Sequence, residues 1–258
     1  MQTLAAECVL ETKAILGEGP VWRAATQDLV WVDIESARVC CFNPATGENQ
    51  TWDIGEKPGL AVPTKRGDLI LGTSGGFVRF DLATGELSPI IDPEQDLPNN
   101  RFNDGKVDPE GRLWAGTMGV NEVPNVGSLY RLNRNLSADK LFDQVSVSNG
   151  MVWTSDQKLF YYIDSPTRRV DVFDCDMAVG TLSNRRTAFE LPEGMGYPDG
   201  MCIDDEGMLW VALWQGWGVG RFAPDGTLLA KVDVPVECVT SCCFGGENWD
   251  ELYITSSS

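Results

Sequence analysis

The sequence contains no histidine, and this absence removes several classes of catalytic site. Without imidazole there is no Ser-His-Asp or Cys-His triad, no zinc site with histidine ligands and no histidine general base. Any reaction catalysed by this chain must therefore use carboxylates, amides, lysine, tyrosine or a metal ion.

Long apolar runs and an excess of basic residues are also lacking. No apolar stretch approaches the roughly 18 residues of a membrane span, and the amino end shows no basic segment followed by an apolar core. The chain has 38 acidic and 20 basic residues, a net charge of −18. This balance argues against nucleic acids and anionic membranes as partners. We expect a cytoplasmic protein.

Cysteine is present eight times, but no pair has the C-x-x-C spacing of a metal or redox motif. In a chain of this size without an export signal, reduced cysteines that pack in the core are expected rather than a disulfide framework. Cys40 and Cys41 lie in a strand-like run, so their side chains should point to opposite faces of a sheet.

The sequence does contain a short phrase that recurs six times. Four copies place an acid or an amide directly before glycine and lead several residues later into an apolar run; these polar residues are Glu18, Asp104, Asn149 and Asp199. Two further copies, at 59–62 and 241–244, have no acid or amide in that position. A period of roughly 40 to 50 residues with several short strands per unit is typical of a β-propeller.

Each complete unit continues with a second strand, a tight turn rich in Asn, Asp, Pro and Gly, and a third strand. The last unit ends at Ser258 after a single apolar run at 252–255. We therefore predict an all-β fold that forms one domain over residues 1–258, a six-bladed β-propeller whose sixth blade is incomplete at the C-terminus. Residues 8–15 are predicted to be an outer strand of that last blade.

Equivalent positions of successive blades meet at the propeller axis, so the four polar side chains should converge there. Acid-glycine and Asn-Gly pairs are also common in ordinary turns. Four pairs at one crowded axis favour a site instead, because unpaired like charges would be costly there. Glu18, Asn149 and Asp199 offer only oxygen ligands, which suit Ca²⁺, Mg²⁺ or Mn²⁺, and zinc in a carboxylate-rich site remains an option.

The third unit carries further polar residues next to this position. Arg101 and Asn103 precede Asp104 in the sequence Asn-Arg-Phe-Asn-Asp-Gly. The arginine has two interpretations, contact with a hydroxyl or oxyanion of a ligand and a salt bridge to Asp104 or another acid. The sequence alone leaves both open.

At these residues the chain resembles the regucalcin and gluconolactonase family of six-bladed propellers. The matching segments are 16–20, 100–116, 148–150, 184–186, 197–200 and 241–246. The resemblance implies a divalent-metal-dependent lactonase with Glu18, Asn149 and Asp199 as metal ligands, and it implies Asp199 as the residue that transfers a proton. It also implies Arg101 and Asn103 as substrate contacts.

One position departs from the pattern of the animal members of this family. They carry an acid three residues after Gly-Thr-Met, where it contacts the substrate, whereas this chain has Asn121 there and Glu122 one step later. Asn121 is the predicted substrate contact at this position, with Glu122 as the alternative.

The leading hypothesis is the hydrolysis of a sugar lactone, an aldonolactone such as gluconolactone, to its aldonic acid, with Ca²⁺ as the expected cation. Two alternatives stay open. The same groups would also hydrolyse organophosphate esters, because a metal-bound water and a carboxylate attack phosphorus as well as carbon. The chain would otherwise be a calcium-binding regulatory propeller without catalysis.

Overall fold

The computed structural model describes residues 2–258, and these residues form β-strands joined by turns, with a single 3-10 turn at Ser165–Thr167. The first strand is β1 (Gln2–Ala5). Within the described residues, no helix is both long enough and apolar enough to cross a membrane.

Five sheets have four consecutive antiparallel strands each, and we call them blades one to five in chain order. Blade one contains β2 (Gly17–Arg23), β3 (Asp28–Asp33), β4 (Arg38–Asn43) and β5 (Glu48–Asp53). Blade two contains β6 (Leu60–Pro63), β7 (Leu69–Thr73), β8 (Gly76–Phe80) and β9 (Leu87–Ile91). Blade three contains β10 (Asn100–Val107), β11 (Leu113–Gly119), β12 (Gly127–Leu132) and β13 (Ala138–Val145).

The remaining strands complete the ring. Blade four contains β14 (Ser148–Trp153), β15 (Leu159–Asp164), β16 (Arg169–Asp176) and β17 (Thr181–Glu190). Blade five contains β18 (Tyr197–Ile203), β19 (Leu209–Trp214), β20 (Gly218–Phe222) and β21 (Leu228–Asp233). The C-terminal hairpin is a two-stranded sheet of β22 (Val239–Gly245) and β23 (Glu251–Ser256).

The fold is an all-β propeller with five complete blades, so the prediction of a propeller is confirmed and the count of six is not. The inner strands contact one another in the order β2, β6, β10, β14, β18, β22 and back to β2. The C-terminal hairpin therefore fills the space between blades five and one. Each complete blade has four strands rather than three, because the repeated phrase itself forms the innermost strand.

The prediction of an outer strand at residues 8–15 is wrong. These residues pair with no strand, and β1 instead adds in parallel to the outer edge of blade five, where Gln2 lies opposite Ala230. Residues 8–15 follow β1 and pack through Leu10 and Ala14 against the apolar cluster that contains Trp22. Apolar contact rather than strand pairing thus fixes it.

The ring is closed by contacts between blade one and the C-terminal hairpin. The hydroxyl of Thr240 donates to the carbonyl of Gly17 at 2.5 Å, and the hydroxyl of Ser257 donates to the carbonyl of Ile15 at 2.8 Å. The rings of Trp22 and Tyr253 stack with their centroids 5.2 Å apart. These contacts join residues from opposite ends of the chain.

A recurring aspartate explains why the turns between the first two strands of a blade keep their shape. In blade five, Asp204 accepts from the indole of Trp210 at 2.9 Å, from the backbone N–H of Met208 at 2.9 Å and from Arg221 Nε at 2.7 Å. In blade three, Asp108 accepts in the same manner from the indole of Trp114, from Arg112 Nε and from the backbone N–H of Arg112. Each such turn fixes the register of an inner strand, which sets the height of its polar residue at the axis.

The core lies between neighbouring blades, where side chains of facing sheets interdigitate. Alternation along β4 illustrates this arrangement. Cys41 packs in the cluster between blades one and two, whereas Cys40 packs with Trp31 and Tyr253 on the other face. The predicted division of the two cysteines between opposite faces is confirmed, and all eight cysteines of the described chain are free thiols.

Candidate active site

The polar residues of the repeated phrase lie where the inner strands are irregular. The pairing of β2 with β3 shifts register between Glu18 and Val21, and corresponding shifts occur at Asp104 in β10, at Asn149 in β14 and before Met201 in β18. A β-bulge re-aims a side chain and leaves local backbone unpaired, and bulges are frequent beside active sites. Inner strand β6, which carries no polar residue in this position, pairs without a shift.

Glycine after Asn149 and after Asp199 allows neighbouring inner strands to approach closely. A Cβ atom on Gly150 would lie 2.7 Å from the carbonyl oxygen of Asp199, and one on Gly200 would lie 2.1 Å from the hydroxyl of Ser241. Any larger residue would therefore push the strands apart. The sequence requirement for glycine follows from this crowding.

The axial cluster is formed by Glu18, Asp104, Asn149 and Asp199, each of them at most 8% exposed. Burial raises the pKa of Glu18 to about 8, and the negative charge of Asp104 adds to this shift. Burial also raises the pKa of Asp199 well above its usual value, with further contributions from Glu18 and Asp104. Burial likewise raises the pKa of Asp104. Three carboxyl groups that disfavour one another's ionisation occupy a single region of the axis.

The axial cluster fits a hard cation. Asp199 Oδ1 is buried and has no hydrogen-bond partner within residues 2–258, and a buried carboxylate oxygen without a partner is costly. No group of three His, Cys, Asp or Glu side chains in the described chain has metal-binding geometry. A set of two carboxylates, Glu18 and Asp199, with an amide oxygen as third ligand therefore agrees better with the structure than an all-carboxylate set.

The amide of Asn149 is oriented by a chain of hydrogen bonds. The carbonyl of Pro198 can only accept, so the hydroxyl of Ser165, 2.6 Å away, must donate to it. The same hydroxyl oxygen then accepts from Asn149 Nδ2 at 2.8 Å. The carbonyl oxygen Oδ1 of Asn149 must consequently point the other way, as a cation ligand requires.

Arg101 and Asn103 form the wall of the cluster on the side of blade three. Asn103 Nδ2 donates to the carbonyl of Ser148 at 2.8 Å and to Asn149 Oδ1 at 3.4 Å. Arg101 Nη1 donates to Asn103 Oδ1 at 2.7 Å and to the carbonyl of Phe102 at 2.9 Å. The structure thus brings Arg101, Asn103 and Asn149 together in one buried network.

Arg101 has no salt bridge to Asp104, the contact that the sequence left open. Burial lowers the pKa of Arg101, and the charges of Glu35, Glu18 and Glu122 oppose this effect. Both hydrogen bonds of the guanidinium leave from Nη1, so Nε and Nη2 are the nitrogens available to a ligand.

The turn after β11 contains Asn121 and Glu122, the two candidates for a substrate contact, and their surroundings differ. Asn121 is an exposed turn residue. Glu122, one step further, lies close enough for its charge to act on Arg101. Its backbone has a φ of 54°, which turns the chain sharply at this point. Contact between Asn121 and a substrate stays a prediction, and Glu122 is the residue of this turn whose charge opposes the lowered pKa of Arg101.

Two contributors to the site were given no ligand, substrate or catalytic role from the sequence. Asp104 was expected at the axis, because it occupies the repeated position in blade three. Ser165 lies in the 3-10 turn after β15, outside the repeated phrase, and no pattern in the sequence marks it.

The propeller and its axial cluster define a class of protein, a β-propeller with a buried carboxylate and amide site on its axis. The family described as the SMP-30/Gluconolactonase/LRE-like region matches residues 16–258. Regucalcin of Xenopus laevis is 41% identical over 263 residues, covering 100% of this chain and 88% of the relative. The chain belongs to this family.

Solved structures of similar proteins agree with this membership. A regucalcin from Agrobacterium tumefaciens, described as a calcium-binding protein, superposes with a TM-score of 0.94 at 28% identity, covering 99% of this chain and 87% of the other. A gluconolactonase from Xanthomonas campestris superposes with a TM-score of 0.80 at 25% identity, covering 95% of this chain and 84% of the other. The expected resemblance is confirmed.

Proposed function

We propose that this chain is a divalent-metal-dependent lactonase that opens sugar lactones to aldonic acids, with Glu18, Asn149 and Asp199 as the metal ligands. The observation that carries the proposal is the unpartnered, buried oxygen of Asp199 beside two other carboxyl groups, Glu18 and Asp104, whose pKa values burial raises, with the charge of Asp104 adding to the shift of Glu18. Membership in a family that includes gluconolactonases supports the reaction class. The calcium-binding description of the Agrobacterium relative favours Ca²⁺ over Mg²⁺, Mn²⁺ or Zn²⁺.

A bound divalent cation supplies Lewis acidity toward the lactone carbonyl and lowers the pKa of a nearby water. Asp199 takes the proton from the attacking water and returns it to the ring oxygen as the ester bond breaks. The carboxyl group accepts the backbone N–H of Gly200, and its Oδ1 is buried without a hydrogen-bond partner within residues 2–258. That raised pKa belongs to the metal-free carboxyl and a bound cation would lower it, so Asp199 would act as the base only through an oxygen that faces the water.

Arg101 and Asn103 hold the sugar. The guanidinium directs Nε and Nη2 toward hydroxyl groups of the lactone while Nη1 stays fixed to Asn103 and the backbone. The acids Glu35 and Glu122 balance its charge. Fixed donors of this kind contribute orientation, because the substrate then meets the base in one position.

We also infer that the chain forms one domain and that the C-terminal hairpin is the inner half of a sixth blade. Its inner strand β22 takes the same place between β18 and β2 that the other inner strands take between their neighbours. The cytoplasmic location expected from the sequence stays a prediction.

The test is a calcium titration and a hydrolysis assay on the same sample, with gluconolactone, related aldonolactones and a phosphotriester as substrates. We expect calcium-dependent hydrolysis of lactones, and loss of both calcium binding and hydrolysis in Asp199→Ala. The control is Asp225→Asn, an exposed aspartate in the turn between β20 and β21 whose carboxylate accepts the backbone N–H of Thr227, away from the axial cluster. It should retain both properties.

Three outcomes would contradict the proposal in different ways. Calcium binding without hydrolysis of any lactone would leave a calcium-binding propeller. Faster turnover of the phosphotriester than of every lactone would assign the site to organophosphate esters. Full lactonase activity of Asp199→Ala after EDTA treatment would remove both the metal role and the proton-transfer role of this residue.

A further inference from the structure

We propose that Cys202 and Cys242 form an oxidisable thiol pair, which a hydroperoxide converts into a disulfide that joins blade five to the C-terminal hairpin. The inference concerns residues outside the axial cluster and does not depend on the proposed lactonase activity.

The two thiols belong to neighbouring inner strands. Cys202 lies in β18 and Cys242 in β22, and their sulfur atoms are 3.6 Å apart although the residues are 40 positions apart in the sequence. Both pack in one apolar cluster with Ala212, Val219 and Val239. A disulfide needs the sulfurs at about 2.05 Å, so they must approach by roughly 1.5 Å. Side-chain rotation with a small movement of the hairpin provides this approach.

Both thiols are buried, with Cys202 6% exposed, but of the two only Cys202 lines a cleft. Cys202 lines an open cleft of about 1090 Å³, together with Lys106 and the aromatic residues Trp153 and Trp210. Cys242 is only 1% exposed, and its thiol also contacts the carbonyl of Trp210 at 3.5 Å. An oxidant in the cleft therefore reaches Cys202 first, and Cys242 is placed behind it as the resolving thiol.

Lys106 places one positive charge beside the pair. Lys106 Nζ donates to the carbonyl of Met201, the residue before Cys202, at 2.7 Å. The hydrogen bond to Cys202 and burial raise the pKa of Cys242 well above its ordinary value, and the charge of Lys106 opposes this shift only in part.

The reaction balances in two steps. The Cys202 thiolate attacks the peroxide, the O–O bond breaks, and the products are a sulfenic acid and an alcohol or water. The Cys242 sulfur then attacks the sulfenic sulfur, the S–O bond breaks, and the departing hydroxide takes the thiol proton as water. Two thiols are oxidised by two electrons, and one hydroperoxide is reduced.

The cross-link should stabilise the part of the ring with the fewest strands. It closes a loop of 40 residues and holds a two-stranded sheet against a complete blade. Disulfides that close loops of this length stabilise most folded proteins. For a chain of this size we expect a rise in Tm of roughly 4 to 8 °C.

The experiment treats the full chain with hydrogen peroxide, alkylates the remaining thiols under denaturing conditions, and maps disulfides by mass spectrometry without reduction. We expect the protein to lose two of its eight thiols, to give a Cys202–Cys242 cross-linked peptide and to gain thermal stability. Dithiothreitol should reverse all three changes.

Variants separate this pair from its neighbours. Cys202→Ser and Cys242→Ser should abolish the cross-link and the rise in Tm, whereas Cys243→Ser, next in sequence but not in the sulfur contact, should keep both. The proposal is overturned if the exposed Cys8 oxidises while this pair stays reduced, or if Cys242 pairs with Cys243 instead. The peptide map of the unaltered chain gives this answer even if a variant fails to fold.

Discussion

Replacing Glu18 by glutamine should stabilise the protein in the absence of metal and abolish its response to calcium. The substitution keeps the shape of the side chain and removes one of three mutually repelling buried carboxyl groups. The amide also removes a charged cation ligand. Stability and metal binding should therefore change in opposite directions.

The size of the effect follows from the pKa of Glu18, which burial and Asp104 raise from 4.5 to about 8. At about 1.4 kcal/mol per pKa unit, the upper limit is about 5 kcal/mol. Asp104 and Asp199 titrate together with Glu18, so we assign about 2 to 3 kcal/mol to this residue alone. For a chain of this length that is a difference in Tm of roughly 4 to 6 °C.

The sign of the pH dependence is fixed by which state holds the proton more tightly. Between the unfolded pKa of 4.5 and the folded pKa of about 8, the native protein binds more protons than the unfolded chain. The stability of the metal-free protein must then fall as pH rises through this window. Saturating calcium should largely remove the fall, because the cation compensates the charged carboxylates.

Thermal unfolding in EDTA and in excess calcium, at about pH 5 and about pH 9, measures both effects. In EDTA the unaltered protein should lose more stability across this range than Glu18→Gln. At the higher pH, calcium should raise the Tm of the unaltered protein only. The reasoning is refuted if the two proteins lose equal stability in EDTA, or if Glu18→Gln keeps the full calcium response.

Other parts of the structure give independent predictions. Arg101→Ala should lower kcat/KM for a hydroxyl-bearing lactone by about 1 to 3 kcal/mol with little change in calcium affinity, and equal losses in both would show that Arg101 supports the metal site. Glu122→Gln should change the KM for lactones more than Asn121→Ala does, and the reverse order in steady-state kinetics would favour Asn121 as the contact. Asp204→Asn should cost about 1 to 2 kcal/mol of stability near pH 7 through its bonds to Trp210 and Arg221. Burial opposes but does not prevent the lowering of the Asp204 pKa by its hydrogen bonds. The stability lost in Asp204→Asn should therefore shrink as pH falls through that pKa in acid unfolding curves, and a loss that stays constant with pH would contradict this reasoning.

The propeller and the axial residues could be predicted because both are properties of a repeat. A polar residue before glycine in equivalent units must converge if the units form a ring, whatever the details of each strand. The inner strands themselves were missed as strands. Segments such as 17–20 and 197–200 contain glycine and proline, which are poor strand formers, and they pair only because the ring holds them at the axis.

The edges of the sheets were harder to predict for a different reason. Outer strand β5 is polar and mostly exposed, so it has no alternating apolar pattern to mark it. Strand β1 is exposed along its whole length and joins blade five through backbone bonds alone. Residues 8–15 look more apolar, which is why they were mistaken for the outer strand.

Ser165 shows what only the structure could supply, and it permits the sharpest test of how the site is held. Its hydroxyl accepts from Asn149 Nδ2 at 2.8 Å and donates to the carbonyl of Pro198 at 2.6 Å, so it joins Asn149 of blade four to the backbone of blade five.

Ser165→Ala should leave the amide of Asn149 free to rotate. This should weaken calcium binding about tenfold, which corresponds to a loss of roughly 1.4 kcal/mol in the orientation of the amide. The matched control is Ser148→Ala, because the Ser148 hydroxyl lies beside Asn149 in sequence but bonds the phenol of Tyr162 at 2.7 Å. Both variants should lose similar stability in denaturant unfolding, and only Ser165→Ala should lose calcium affinity by calorimetry. Equal calcium affinities in the two variants would mean that Asn149 is held by Asn103 alone, and that the hydroxyl between the blades has no part in orienting the ligand.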